Sequence, residues 1–296
     1  MALTLAESAK LSLDMLQRGV IETIIEESPV FDWLPFIGVE GNSFKYNQEA
    51  TLPGASFYAV NAVWTEGTGT FTQKTSNLSI LGGDADVDNF ITRTRSNIQD
   101  QRAIQTAMRA KSVARKFEDT FITGDVSVDS NSFDGLRVLA VAGQELTMGA
   151  NGGALTLAKL DEMIDLVKGG KPNILLMSKR SRRKLKALLT ASTHYVESGA
   201  TQFGRQVMFY DGIPVLVSDF QPDTETEGTE TAASSIYGIQ FSESSGLVGL
   251  SNGGLDVVDV GQLESKDAQR VRLRWYVSLA LLRDSALARL RGINAS

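Results

Sequence analysis

The sequence predicts an α+β fold, and three patterns point to it. Val271, Leu273, Trp275, Val277, Leu279 and Leu281 put an apolar side chain at every second position, with Arg270, Arg272 and Arg274 on the alternate face, as in a long half-buried strand. From 84 to 122 there is neither Pro nor Gly, and Ile104, Met108, Phe117 and Phe121 lie on helical spacing. Between 156 and 217, helix and strand signals follow one another over short lengths.

Composition narrows function before any motif is read. The chain has 296 residues, 42% of them apolar, enough for one large or two ordinary domains that bury roughly 75% of the unfolded surface. It has no Cys and one His, which excludes a disulfide framework, a zinc ribbon, a thiol nucleophile and any site of several His ligands. A Ser-His-Asp arrangement could use only His194. The formal net charge of -6 argues against a dedicated nucleic-acid binder, which is usually basic. The opening MALTLAESAKLSLD lacks a basic stretch before an apolar core, so no secretory signal is expected. Apolar runs such as 277–282 fall far short of the ~20 residues of a membrane helix, so no membrane partner is expected either.

Residues 1–28 read as a helix, with Leu13, Leu16, Val20 and Ile24 on one face, weakened by Gly19 and stopped at Ser28-Pro29. Residues 29–36 form an extended strap carrying Phe31, Trp33 and Phe36 along with Pro29 and Pro35; it either packs in the core or docks on a neighbouring subunit. Residues 42–82 are rich in Thr, Ser, Asn and Gly. Phe44, Tyr46 and Gln48 share one strand face and Phe71, Gln73, Thr75, Asn77, Ser79 and Leu81 another. The result is a long β-hairpin with too few large apolar groups for its own core. Because an isolated hairpin is marginal in water, it must pack elsewhere, within the chain or across subunits.

A helix over 87–122, ~30 residues, would be ~45 Å long. Asp86 and Asp88 suit its start and Gly124 its end. Its cations, among them Arg102, Arg109, Lys111, Arg115 and Lys116, make either a solvated face or a contact for phosphate or an acidic neighbour. Turns follow through Gly124-Asp125 and Phe133-Asp134-Gly135-Leu136, and Gly149, Gly152 and Gly153 mark a domain boundary within 144–155. Thr156 caps a helix over 157–168, ended by Gly169-Gly170; 174–177 is a short buried strand; Ser178 caps the next helix, with Leu185, Leu188 and Leu189 inside. Residues 208–217 read as strand, Asp-Gly turn, strand, and 222–231 as an acidic loop with Asp223, Glu225, Glu227 and Glu230. The strand at 271–281 and a short apolar segment at 285–290 close the chain.

No catalytic constellation emerges, and no cofactor or metal is expected. A lone His194 at a helix end reads as a surface or core residue. Leu81-Gly82-Gly83-Asp84 lacks the Lys-Ser/Thr of a phosphate loop and the spacing of a dinucleotide fingerprint. Glu26/Glu27 and Asp84/Asp86/Asp88 fall at helix ends, where capping explains them. The run 179–186 holds six cations in eight residues. It serves as a solvated face, a nucleic-acid contact, or an inter-subunit partner for the acidic loop at 223–230.

The order of segments resembles the major capsid protein of tailed double-stranded DNA bacteriophages, a fold shared with encapsulins. The residues that carry the resemblance are Trp64-Thr65-Glu66-Gly67 in the extended loop, the long helix ending at Phe121-Ile122-Thr123-Gly124-Asp125, and Phe133-Asp134-Gly135-Leu136. Phe209-Tyr210-Asp211-Gly212-Ile213-Pro214-Val215 and the closing 270–275 strand with Ser285-Ala286 complete it. It implies an N-terminal arm (1–38), an extended loop (39–86), a peripheral domain with a spine helix (87–150 and 255–296) and an axial domain (151–254). The function implied is self-assembly, as pentamers and hexamers, into an icosahedral shell around a phage genome, with no enzymatic activity. The alternative is an encapsulin-type compartment around cargo enzymes.

The inter-subunit contacts expected are Phe31, Trp33, Phe36, Phe57, Tyr58, Trp64, Glu66, Arg182, Arg183, Glu225 and Glu227, with Arg102 and Arg109 as genome-facing cations. By the same resemblance a separate scaffolding protein, a portal and a decoration protein are expected partners. Packaged double-stranded DNA would be touched without sequence readout. The location would be the virion, assembled in the host bacterial cytoplasm. Lys45 and Lys74 are the loop's lysines, and no covalent cross-link is expected from them.

Overall fold

The computed structural model describes residues 29–95, 101–191, 197–200 and 206–294. The helix expected over 1–28, and His194, lie outside them. The strap turns through a 3-10 segment at Pro29–Asp32 into β1 (Phe36–Gly38). A hairpin follows, β2 (Ser43–Thr51) with β3 (Thr70–Asn77), paired from Ser43↔Asn77 to Thr51↔Thr70. The chain re-enters the body as β4 (Ser79–Asp88), helix α1 (Asn89–Arg95) and the long α2 (Gln101–Thr123). Then come a single turn α3 (Leu136–Leu139), β5 (Glu145–Thr147), α4 (Leu157–Leu166), β6 (Ile174–Met177) and α5 (Lys179–Ala191). The remainder is β7 (Glu197–Ala200), β8 (Gln206–Tyr210), β9 (Ile213–Val217), β10 (Glu225–Glu227), β11 (Glu230–Ile239), β12 (Leu247–Gln262), β13 (Ala268–Leu281) and β14 (Leu287–Ile293).

Two sheets organise these elements. One has four strands in the order β1-β12-β13-β4; the other has eight, β5-β14-β11-β6-β9-β8-β7 with β10 added on β11. The hairpin β2-β3 belongs to neither. The larger sheet is mixed, with β6 and β9 parallel and β11 antiparallel to β6. Its central β6, Ile-Leu-Leu-Met, is buried at every position, as a strand covered on both faces must be. Asp211 (φ 50) and Gly212 (φ 76) make the tight turn between β8 and β9, with positive φ at both central positions.

Helix α2 lies against the smaller sheet. Ala110, Val113 and Ala114 meet Val257, Val271 and Leu273, and further along Phe117 stacks on Phe31 at 4.8 Å and faces Trp275 at 5.1 Å. The helix ends where Gly124 and Gly135 close a tight loop, Gly135 N–H donating to Gly124 O at 2.9 Å. A Cβ on Gly124 would sit 2.4 Å from the carbonyls of Phe133 and Thr120, so only glycine fits.

Three expectations need correction. The strand expected to run from Phe71 through Leu81 breaks at Leu78; β4 pairs with β13 from Ser79 to Asp88 and is part of the body. Asp84 and Asp86 do not cap a helix. They lie in β4, where Arg272 grips Asp84 (2.7 and 2.8 Å) and Arg270 grips Asp86 (2.6 and 2.8 Å), so the arginine face of β13 is a cross-strand ion ladder. Only Asp88 caps, accepting from Phe90 N–H at 2.7 Å. Within the glycine-rich 144–155, β5 and Gly153 are bonded to β14 and its flank. The acidic loop is a hairpin, β10 against β11.

Candidate self-assembly surface

The hairpin is anchored at its base and bare at its tip. At the base, buried Gln48 donates from Nε2 to Leu281 O (2.8 Å) and Asp284 Oδ1 (3.1 Å), and Lys74 Nζ meets the same oxygen at 2.9 Å. Burial pushes the Tyr46 phenol above its usual pKa. Asp284 sits in the short link between β13 and β14, so one carboxylate ties the hairpin to the junction of the two sheets. Sequence reading missed it; Lys74 was noted only as a loop lysine, and a contact across 210 positions leaves no local signal.

Beyond Thr51 and Thr70 the two arms carry the tip. Tyr58 stacks on Trp64 at 4.5 Å, and its hydroxyl accepts from Thr65 N–H at 3.1 Å. These bonds hold the phenol below its usual pKa. The stack is the tip's own order, yet Trp64 stays 77% exposed, Phe57 and Val60 are fully open, and Leu52, Val63 and Phe71 are exposed as well. Glu66 is exposed beside them. Scattered exposed apolar residues are normal; six on one projecting hairpin are a patch that marks an interaction surface.

The other expected contacts are placed differently. Phe31 and Phe36 ring the buried Phe117 and Trp275 of their own chain, and Trp33 packs on the same core. The strap therefore braces the core of its own subunit. Glu225 is buried against Arg289 (3.1 Å) and also accepts from Ser235, while Glu227 faces Arg291 (3.6 Å) and Thr147 (3.1 Å). Both are spent within the subunit. Arg289 also holds Glu145 at 2.9 Å and lies over the Tyr237 ring, whose burial raises that phenol's pKa. In the same segment Asp223 pairs with Arg180 at 3.3 Å. Arg182 and Arg183 are exposed on α5. Arg102 pairs with Asp259 and Gln269, and Arg109 donates to Asp84 O at 2.7 Å, so the two cations expected to face a genome are turned onto the sheet.

Among the described residues no group of three or more acidic or His side chains could hold a metal, and no helix is long and apolar enough to cross a membrane.

Comparison with known proteins agrees with this architecture. The chain is similar to the SrpI encapsulin of Synechococcus elongatus (TM-score 0.72, 23% identity, 90% of this chain and 88% of that one). It is similar to the capsid of an empty GTA particle (0.68, 16%, 90% of each chain). It is also similar to the capsid of cyanophage A-1(L) (0.67, 13%, 90% of this chain and 92% of that one). At these identities the likeness is one of fold. No curated protein matches the chain in sequence. A family model does, over residues 48–293, from the hairpin to the last strand: the chain belongs to the SU10 major capsid protein family, and is a shell-forming structural subunit of a bacteriophage capsid.

Proposed function

We propose that the chain closes its shell by laying the hairpin tip on an adjacent subunit. The observation that carries this is the exposure of Leu52, Phe57, Val60, Val63, Trp64 and Phe71 on an element that joins neither sheet. Burying one such side chain contributes about 1.5–3 kcal/mol. The contact is repeated by every subunit, so modest single contacts suffice for a stable shell. Glu66 lies at the rim of this contact. Pentamers and hexamers of the chain are the units, and the lobes are those of a peripheral domain (87–150 and 255–296) and an axial domain (151–254).

The shell encloses double-stranded phage DNA and is assembled in the host cytoplasm with a separate scaffolding protein, a portal and a decoration protein. Its role is structural rather than enzymatic. Replacing 53–68 by a two-residue Asn-Gly turn keeps the β2–β3 pairing and removes Phe57, Val60, Val63 and Trp64, four of the six apolar side chains of the patch. The expected result is a folded subunit that sediments as free protein under conditions where the parent chain forms shells. Shells of normal diameter from the truncated chain would overturn the proposal. Nuclease-resistant DNA inside parent particles supports the phage reading, and a packaged enzyme in its place supports the encapsulin one.

A further inference from the structure

The basic run on α5 is only partly paired within the subunit, and its placement is costly. The helix begins Lys-Arg-Ser-Arg-Arg-Lys, with no acidic residue in its first turn. Cations at a helix N-terminus oppose the helix dipole, and like charges crowd one another at three- and four-residue spacing. Arg180 is withdrawn into the body, donating to the carbonyls of Ala232 and Ile293. Lys179, Arg182, Arg183 and Lys186 are left on one exposed stripe, opposite buried Ser181, Leu185 and Leu189. Lys179 meets Asp219; among the described residues Arg182, Arg183 and Lys186 enter no ion pair.

The stripe does not end with α5. Arg182 and Lys179 line a cleft of about 390 Å³ together with Arg115 and buried Glu118 of α2 and with Val217, Asp219 and Phe220. Lys111, Arg115 and Lys116 continue the exposed basic face along α2. Glu118 accepts from Ser218. A face of this sign stands out on a chain whose net charge is -6.

We propose that this α2–α5 face is a polyanion-binding surface that contacts the phosphates of double-stranded DNA without reading its sequence. A second copy of the chain, whose acidic side chains are the other source of negative charge, is the rival occupant, and the test below separates the two. Long exposed cationic side chains such as Arg182, Arg183 and Lys186 suit a mobile backbone of evenly spaced phosphates. The DNA as ligand rests on the phage reading above; the surface itself does not.

The test is titration of the full-length subunit, kept too dilute to assemble, with a fluorescent random-sequence duplex of about 30 base pairs across a salt series. Each lost phosphate contact lowers the log–log salt slope by about 0.9 and the affinity at 0.1 M salt roughly eightfold. The double variant Arg182→Ala, Arg183→Ala is expected to lose a slope of about 1.8. Lys168→Ala, Lys171→Ala, an equal charge change at an exposed site, is expected to match the parent. Equal slopes for all three proteins would overturn the proposal. So would unchanged DNA binding with loss of shell assembly in Arg182→Ala, Arg183→Ala, which assigns the face to a neighbouring subunit. Because binding is read on unassembled protein, failure of shell formation by the parent would count against the capsid reading alone.

Discussion

Arg289 lies between Glu145 and Glu225 with only a tenth of its side chain exposed. Its positive charge is favoured despite burial, which acts against it, because Tyr237, Glu225 and Glu145 surround it. Removing one partner of such a cluster leaves uncompensated buried charge, at a cost of about 3–5 kcal/mol. Arg289→Ala is therefore expected to lower the denaturant midpoint of the subunit strongly, while Arg291→Ala, at the exposed end of the same strand, shifts it little. A second residue-scale expectation concerns acid. Bonds from Arg270 and Lys266 hold the Asp86 carboxyl far below the usual carboxylate range, and Arg272 does the same for Asp84. A depressed carboxylate stabilises the fold above its unfolded pKa of about 4 and loses that contribution as pH falls toward the folded value. Thermal melts should show stability dropping below about pH 4, and Asp86→Asn should be less stable than the parent at neutral pH with a shallower acid loss. Parallel pH curves for the two proteins would contradict the ladder's role.

At the scale of the element, the hairpin divides into an anchored base and a free tip, and the two respond differently. Gln48→Ala removes the bonds to Leu281 and Asp284. Limited proteolysis should then cut the hairpin faster, with the melting temperature of the body little changed, because β2 and β3 pair only with each other. Local pattern made the elements legible: the period-two run of β13, the helical spacing of α2, the Thr156 and Ser178 caps and the Asp-Gly turn all reappear in place, Thr156 accepting from Lys159 N–H and Ser178 from Ser181 N–H. What stayed hidden was the partner of each polar face. Asp84 and Asp86 look like helix caps until β13 is laid beside β4 in register, and Glu225 looks solvent-exposed until β14 brings Arg289 beneath it. Phe31 and Phe36 were ambiguous for the same reason, since a strap rich in aromatics reads alike whether it braces Phe117 or a neighbour. The hairpin tip, by contrast, was legible as a surface because no arrangement of 42–82 supplies a core.

For the whole molecule, composition and architecture agree. A chain without Cys and with one His has little reactive chemistry, and it spends its large side chains on an internal aromatic core and on one projecting patch. Asp84, Asp86 and Glu225 are held in internal ladders, and the basic α2–α5 face is a surface of opposite sign to the net charge. Trp64→Ala and Phe57→Ala are each expected to remove about 2 kcal/mol per contact and so to raise the protein concentration at which shells first form, without altering the subunit's melt. Electron microscopy of the purified full-length chain at concentrations well above that threshold tests the central claim most directly. Closed shells of uniform diameter are the predicted result; dispersed folded subunits, or open aggregates without symmetry, would contradict it.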